Sequence, residues 1–245
     1  GEKNYVAFLV QGGLGLPDRE NYLSVDPVMQ ALRTRYREAV ASVLATTDAK
    51  NAASASKRAE AVVALETAIA RSHATQEVSG NEKNADNLWT RADFARQAPG
   101  MDWSAFFAAA GLAKQTSFVA WQPSAVKGVA ALIASQPLQA WKDYLRVRVI
   151  ADYADVLPRA FAGQSPALHG DATTQSSRAQ RATEATQSAM SDAIGRLYAE
   201  RHFPAAYKAR VQAIAANVVA AFTRRMEAVK WMSPDSKTMA LAKMK

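Results

Sequence analysis

Residues 205–229 read AAYKARVQAIAANVVAAFTRRMEAV. Val211, Ile214, Val218, Val219, Phe222 and Met226 fall at i, i+3, i+4 and i+7, the spacing that lines one face of a helix, with charges on the other side. No Gly or Pro interrupts the run, and Ala, the best helix former, fills the gaps. The stretch predicts one long amphipathic helix. Downstream, Ser233-Pro234-Asp235 is an N-terminal cap for a last helix, which reaches Lys245 with no Gly or Pro to stop it. The sequence is therefore expected to continue. Upstream, a further helix is expected over about 178–198.

Composition extends this reading to the whole chain. Ala supplies 53 of 245 residues, while Gly (11) and Pro (9) are scarce. All-β proteins need many more turn residues. The expected fold is all-α, with at most a few short strands near 5–10 and 117–121. Asp26-Pro27 opens a helix carrying Val28, Leu32, Tyr36, Ala39, Val40 and Val43 at helical spacing. A second covers roughly 52–72, with Ala59, Val62, Val63, Glu66, Ile69 and Ala70 near one face. Polar residues dominate 73–87. A helical turn follows over 90–97, then a helix 103–110 capped by Asp102 and stopped by Gly111. Another helix begins near Pro123. Pro137 opens a long one whose Leu138, Trp141, Leu145, Val149, Asp152, Tyr153 and Val156 lie near one stripe. Residues 163–177 read as a polar, mobile loop. The organisation expected is one mainly helical domain over 1–245.

The chemistry that such a chain excludes is clear. It has no Cys, so disulfides, thiolate zinc sites and a cysteine nucleophile are ruled out. No apolar run approaches the ~18–20 residues of a membrane span. His73, His169 and His202 are isolated, and no His-Glu-x-x-His occurs. Gly12-Gly13-Leu14-Gly15 lacks the spacing of a nucleotide loop and has Pro17 where a helix should open, so it reads as a tight turn. No Gly-x-Ser-x-Gly is present. Net charge is +8, but Lys and Arg are spread among acids and Ala, and no basic groove with aromatics is evident. Nucleic-acid binding is not supported. The residues alone give a helical domain with no catalytic, metal or cofactor site of its own.

Five stretches, in order, resemble the neprilysin and endothelin-converting-enzyme type of zinc metallopeptidases. They are Gly13-Leu14-Gly15-Leu16-Pro17-Asp18-Arg19 with Tyr22 behind it; Asp102-Trp103 with Phe106-Phe107; and Pro137-Leu138 with Trp141, Tyr144 and Leu145. The other two are Gly195-Arg196-Leu197-Tyr198 with Glu200, Phe203 and Lys208; and Trp231-Met232-Ser233 with Ala240 and Lys243. Two departures are local: Arg181-Ala182 stands where the family often has Arg-Trp, and the 163–177 loop is altered.

This resemblance implies the helical covering domain of a neprilysin-like peptidase. Residues 231–245 would then be the approach to a zinc domain that lies outside this sequence. Family members hydrolyse peptides with a zinc ion, a water and a Glu base. None of those motifs is here, so the catalytic, metal and cofactor-binding residues expected within this sequence are none, and the piece is expected to be inactive alone. Gly13, Leu14, Gly15, Leu16, Pro17, Asp18, Arg19, Tyr22, Trp103, Trp141, Gly195, Leu197, Tyr198 and Phe203 are family-motif positions expected to be structural, with Asp18 and Arg19 holding a turn by charge-assisted bonds. Zinc belongs to the parent enzyme. The implied partners are peptide substrates and the zinc domain, with no nucleic acid and no membrane contact from this segment. Family members are usually exported, and a chain without Cys suits a bacterial periplasm or cell envelope. The alternative is a stand-alone helical binding module for an acidic partner.

Overall fold

Helix boundaries follow the local chemistry of the chain. In the computed structural model, which describes residues 5–170 and 177–244, side-chain caps open the helices where the sequence supplies them. The chain divides into two compact units, Gly1–Gln175 and Ser176–Lys245.

The first unit starts with strand β1 (Ala7–Leu9) and a one-turn helix α1 (Glu20–Leu23). Helix α2 (Pro27–Thr47) follows; the Asp26 carboxylate accepts from the Val28 amide at 2.7 Å, and Pro27 takes the first turn. A 3₁₀ segment (Ala49–Ser54) delays α3 to Ala55–Ser72, three residues later than expected. Next come α4 (Gln76–Gly80), a 3₁₀ turn (Glu82–Ala85), β2 (Leu88–Thr90) and α5 (Arg91–Gln97), with a capping box between Thr90 and Asp93. Helix α6 (Trp103–Ala109) is capped by Asp102 and followed by Gly111 at φ +74°. Then β3 (Ser117–Ala120), α7 (Pro123–Ser135), α8 (Leu138–Tyr153), and the short α9 (Arg159–Ala162) and α10 (Ser165–Leu168) complete the unit.

Two cores hold it together. Helix α2 packs along α3, and α3 also packs against α7 and α8. Their shared core contains Leu32, Tyr36, Val40, Leu44, Val62 and Ile69. Val28 stays 66% exposed at the start of α2. The second core is aromatic. The ring of Phe94 meets those of Trp89, Trp103, Phe107 and Phe118 at 4.8–5.5 Å between centroids. A three-stranded sheet in the order β1-β3-β2 borders it, with β1 parallel and β2 antiparallel to β3.

Several expectations are corrected here. Strand β2 was not foreseen: three residues are too short for an alternating pattern, and Leu88–Thr90 is extended because it pairs with Ser117–Val119. The apolar stripe read along α8 faces out. Leu138, Leu145, Val149 and Tyr153 are 56–68% exposed, whereas Ala140, Asp143, Tyr144, Val147 and Ala151 are buried. Within the expected loop 163–177, Ser165 and Leu168 are buried on a helical turn, and residues 171–176 lie outside the described residues.

Among its described residues the second unit has four helices: α11 (Arg178–Ala189), α12 (Ser191–His202), α13 (Ala205–Ala228) and α14 (Pro234–Ala242). The single helix expected over 178–198 breaks at Met190, whose φ of −123° leaves the helical region. Ser233 caps α14 by accepting from the Ser236 amide.

Candidate functional site

The loop Gln11–Arg19 is short of side chains that could fix it, so its backbone is fixed by other elements. Gln11 is the entry clamp. Its amide donates to Gln122 Oε1 at 2.9 Å, and its side chain exchanges two hydrogen bonds with the backbone of Ala74. The Gly13 carbonyl accepts from the Tyr144 hydroxyl of α8 at 2.7 Å. Gly13 itself has φ +89°, a conformation glycine adopts freely. At Gly15 the demand is space: a Cβ there would fall on the Tyr36 hydroxyl. Leu16 is buried in the larger core, and Pro17 lies against Gly170. Asp18 Oδ1 accepts from the Glu20 amide at 2.8 Å and so starts α1, while Arg19 Nε reaches the Ala70 carbonyl.

Beneath the loop sits a carboxyl group shut away from solvent. Glu66 of α3 is fully buried. Tyr22 donates to its Oε2 and Tyr36 to its Oε1, both at 2.9 Å. The Tyr22 oxygen also accepts from the amides of Gly15 (3.1 Å) and Leu16 (2.8 Å). One hydroxyl thus uses its proton and both lone pairs, and joins the loop backbone to α3. Burial pushes the Glu66 carboxyl up to about 7, against the pull of the two tyrosine hydrogen bonds and of Arg148. Burial and the Glu66 charge hold the Tyr22 and Tyr36 hydroxyls well above the usual tyrosine range, so both remain donors.

The loop forms a wall of two depressions. One, of about 380 Å³, has a mixed lining that includes Leu16, Pro17, Asp18, Arg19, His73 and His169. His73 is buried and its Nε2 faces the Gly12 carbonyl at 3.2 Å; burial lowers its pKa. The other, of about 630 Å³, is apolar and lined by Phe8, Val10, Trp103, Phe106, Ile133 and Leu145. Below both, α3 and α8 are tied by Arg58, which donates to both oxygens of the buried Asp143 and to Asp48. These bonds hold the Asp143 carboxyl below the usual carboxylate range.

The other motif residues lie elsewhere. Trp103 joins the aromatic core and donates from Nε1 to the Ala98 carbonyl at 2.7 Å. Trp141 meets Tyr144 edge to face at 5.7 Å, and its Nε1 is buried without a hydrogen-bond partner among the described residues. Gly195, Leu197, Tyr198 and Phe203 belong to α12 and its C-terminal end. Leu197 and Tyr198 are 56% and 64% exposed, and a Cβ on Gly195 would meet open space. Within the first unit the structure brings Gly13–Arg19 and Tyr22 together, with Trp103 lining the apolar depression beside the loop and Trp141 packed on Tyr144. Tyr36, Glu66, His73 and Tyr144 complete the loop site and were not singled out as site residues. The one signal in the sequence was a carboxylate on the otherwise apolar face Val62, Ile69, Ala70. Chemically this is a positioning device. No group of three His, Cys, Asp or Glu residues that could hold a metal occurs among the described residues, and Glu66 is itself fully buried.

Comparison with known proteins is uniform. The family model described as Peptidase family M13 matches residues 1–245. Endothelin-converting enzyme-like 1 of Mus musculus is 24% identical over 252 residues, and the human protein 23%. Each alignment takes in 98% of this chain and 32% of the relative, so the chain spans about a third of their length. Among solved structures, the Mycobacterium tuberculosis zinc metalloprotease Zmp1 in complex with inhibitor superposes with a TM-score of 0.76 at 29% identity, over 98% of this chain and 37% of that one. PepO from Lactobacillus rhamnosis has the same fold at 18% identity and a TM-score of 0.69, over 94% of this chain and 37% of its own.

Proposed function

The chain belongs to peptidase family M13, and from that premise we propose that it is the helical covering segment of a zinc metalloendopeptidase. In this reading the segment walls the cavity over the catalytic centre and admits peptides while excluding folded proteins. The observation that carries it is the match of the family model from the first residue to the last, joined to a likeness to Zmp1 over nearly the whole chain. The built loop supports a structural role: its backbone is locked by Tyr22, Tyr144 and Gln11.

The residues of this segment do not fit a zinc site. The sequence holds no His-Glu-x-x-His, and no ligand group of three occurs among the described residues. No step of hydrolysis is assigned to them. Zinc, the peptide substrate and the catalytic residues belong to the parent protein, which we place in a bacterial envelope or periplasm. No helix among the described residues is long and apolar enough to cross a membrane.

The test compares three reactions. The full-length gene product is given a short fluorogenic peptide and, separately, the same sequence inside a folded protein; residues 1–245 alone are given the peptide. We expect chelator-sensitive cleavage of the peptide, cleavage of the folded substrate slower by at least about 100-fold, and none by the segment. Equal rates on both substrates would refute the size barrier. Hydrolysis by the segment alone would refute the division of labour.

A further inference from the structure

Glu66, Tyr22 and Tyr36 form a closed hydrogen-bond circuit whose protons can be counted. With Glu66 ionised, the carboxylate accepts from both hydroxyls, at 2.9 Å each. The Tyr22 oxygen is then fully used. It gives its proton to Oε2 and takes the amides of Gly15 and Leu16 on its two lone pairs. Every O–H of the circuit has an acceptor.

One more proton on the carboxyl breaks that balance. Three O–H groups then share two contacts, so one of them must aim elsewhere. Tyr22 is excluded, because it has no lone pair left for a new donor. Tyr36 is free to turn: its hydroxyl makes one hydrogen bond among the described residues, to Oε1. Its oxygen also lies against Gly15, where a Cβ would collide with it. The carbonyls of Leu14 and Gly15 accept no hydrogen bond among the described residues. The loop itself thus offers the acceptor that Tyr36 needs.

We propose that Glu66 and Tyr36 form a proton-operated latch on the Gly13–Arg19 loop. In the ionised state Tyr36 serves the carboxylate, and Tyr22 alone ties down the Gly15–Leu16 backbone. When Glu66 takes a proton from solvent, its O–H donates to Tyr36, and Tyr36 aims its own O–H at the carbonyl of Leu14 or Gly15. Acidification adds a tie, and the wall shared by the two depressions stands more firmly.

The groups around Glu66 leave it as the one that titrates. Helices α1 and α2 offer it Tyr22 and Tyr36, and α8 offers Tyr144 and the permanent cation Arg148. Lys127 of α7 lies instead over the Trp89 ring, at 5.6 Å. His73, seven positions along α3, has its pKa lowered by burial. Burial pushes the Glu66 carboxyl up to about 7. A pKa raised in the closed state holds the loop closed at low pH, and that hold is lost as pH rises through about 7. From pH 8 to pH 6 the closing equilibrium gains about tenfold.

Hydrogen exchange read by mass spectrometry tests the latch in the full-length protein, with rates corrected for the intrinsic effect of pH. Helix α6, in the aromatic core, is the internal reference. We expect exchange over residues 13–19 to slow about tenfold from pH 8 to pH 6 while α6 stays level. Glu66→Gln presents a carbonyl to Tyr22 and an amide N–H to Tyr36, so it should keep the loop slow at both pH values. The Raman doublet of tyrosine, which distinguishes a donating from an accepting hydroxyl, reads Tyr36 itself, with Tyr36→Phe as the spectral blank. We expect Tyr36 to pass from donor alone to donor and acceptor on acidification. A loop response that persists in Glu66→Gln belongs to another group, His73 included, and overturns the proposal. A slowing shared by α6 overturns it in favour of the stability of the whole unit. A Tyr36 signal that does not move overturns it in favour of charge alone. Each outcome is independent of whether the parent protein hydrolyses peptides.

Discussion

Glu66 is the residue on which the loop site depends, and its chemistry gives a pH signature. Tyr22, Tyr36 and Tyr144 surround it, and Arg148 is the cation whose charge it feels. A carboxyl at about 7 in the fold and near 4.5 in the open chain favours folding when it is protonated. The sign is fixed by linkage: the contribution is complete below about pH 4.5 and is lost as pH rises through 7. A shift of this size corresponds to about 3 kcal/mol. We expect the wild-type segment to lose stability between pH 5 and pH 8 relative to Glu66→Gln, measured by urea unfolding. Parallel pH profiles for the two proteins would refute this. The paired carboxylates Asp48, Asp93 and Asp143 act in the opposite sense, and only below the ordinary carboxylate range. Much at this scale was legible beforehand. Asp26, Asp102 and Ser233 announce their helices because each can accept from a free amide. The pairing of His73 with Gly12 was not legible, because it joins residues 61 positions apart.

At the scale of elements, α8 teaches how periodicity misleads. A helical stripe of large apolar residues shows that two faces differ; it does not show which one is inside. Here the inner face is built from small or polar-tipped residues. Ala140 and Ala151 allow close approach, Tyr144 bonds the loop, and Asp143 is neutralised by Arg58. The outer face keeps Leu138, Leu145, Val149 and Tyr153. Substitution should therefore invert the usual rule that the larger apolar residue matters more. We expect Val147→Ala to cost about 1–3 kcal/mol and Leu145→Ser to change stability of the segment by less than about 0.5 kcal/mol. Chemical denaturation of both variants decides, and a larger loss at Leu145 would show that the faces are assigned the wrong way round. The same limit hid β2 and the break at Met190. Both are set by what a short stretch pairs with or turns against, and three or four residues carry no period.

For the whole molecule, the contrast is between a unit with two cores and a unit with none. Residues 1–175 enclose an aliphatic core and an aromatic one. Residues 176–245 enclose no buried residue among those described. Isolated helices as short as α11, α12 and α14, of 12, 12 and 9 residues, are marginal in water. We expect residues 1–175 expressed alone to give a cooperative thermal transition, and residues 176–245 alone to show less than about half of their helix by circular dichroism. A cooperative transition in the smaller piece would contradict this. Composition gave the helical class because Ala abundance acts on every helix at once. It could not give the division into units, which depends on where long-range contacts stop.

The parallel pairing of β1 with β3 also sets a clock on synthesis. Ala7 meets Phe118, and the 111 residues that follow Ala7, up to Phe118, must be made first. At about 5–20 residues per second, the ribosome needs roughly 6–22 s for that stretch. Through that interval β1 and the loop behind it have no mate, and closing so long a loop is slow in itself. Helices α2 and α3 have no such wait, since their contacts are nearly sequential. The nascent chain should thus carry a finished helical pair and an unpaired β1 at the same time, which is the state that a holdase chaperone would meet.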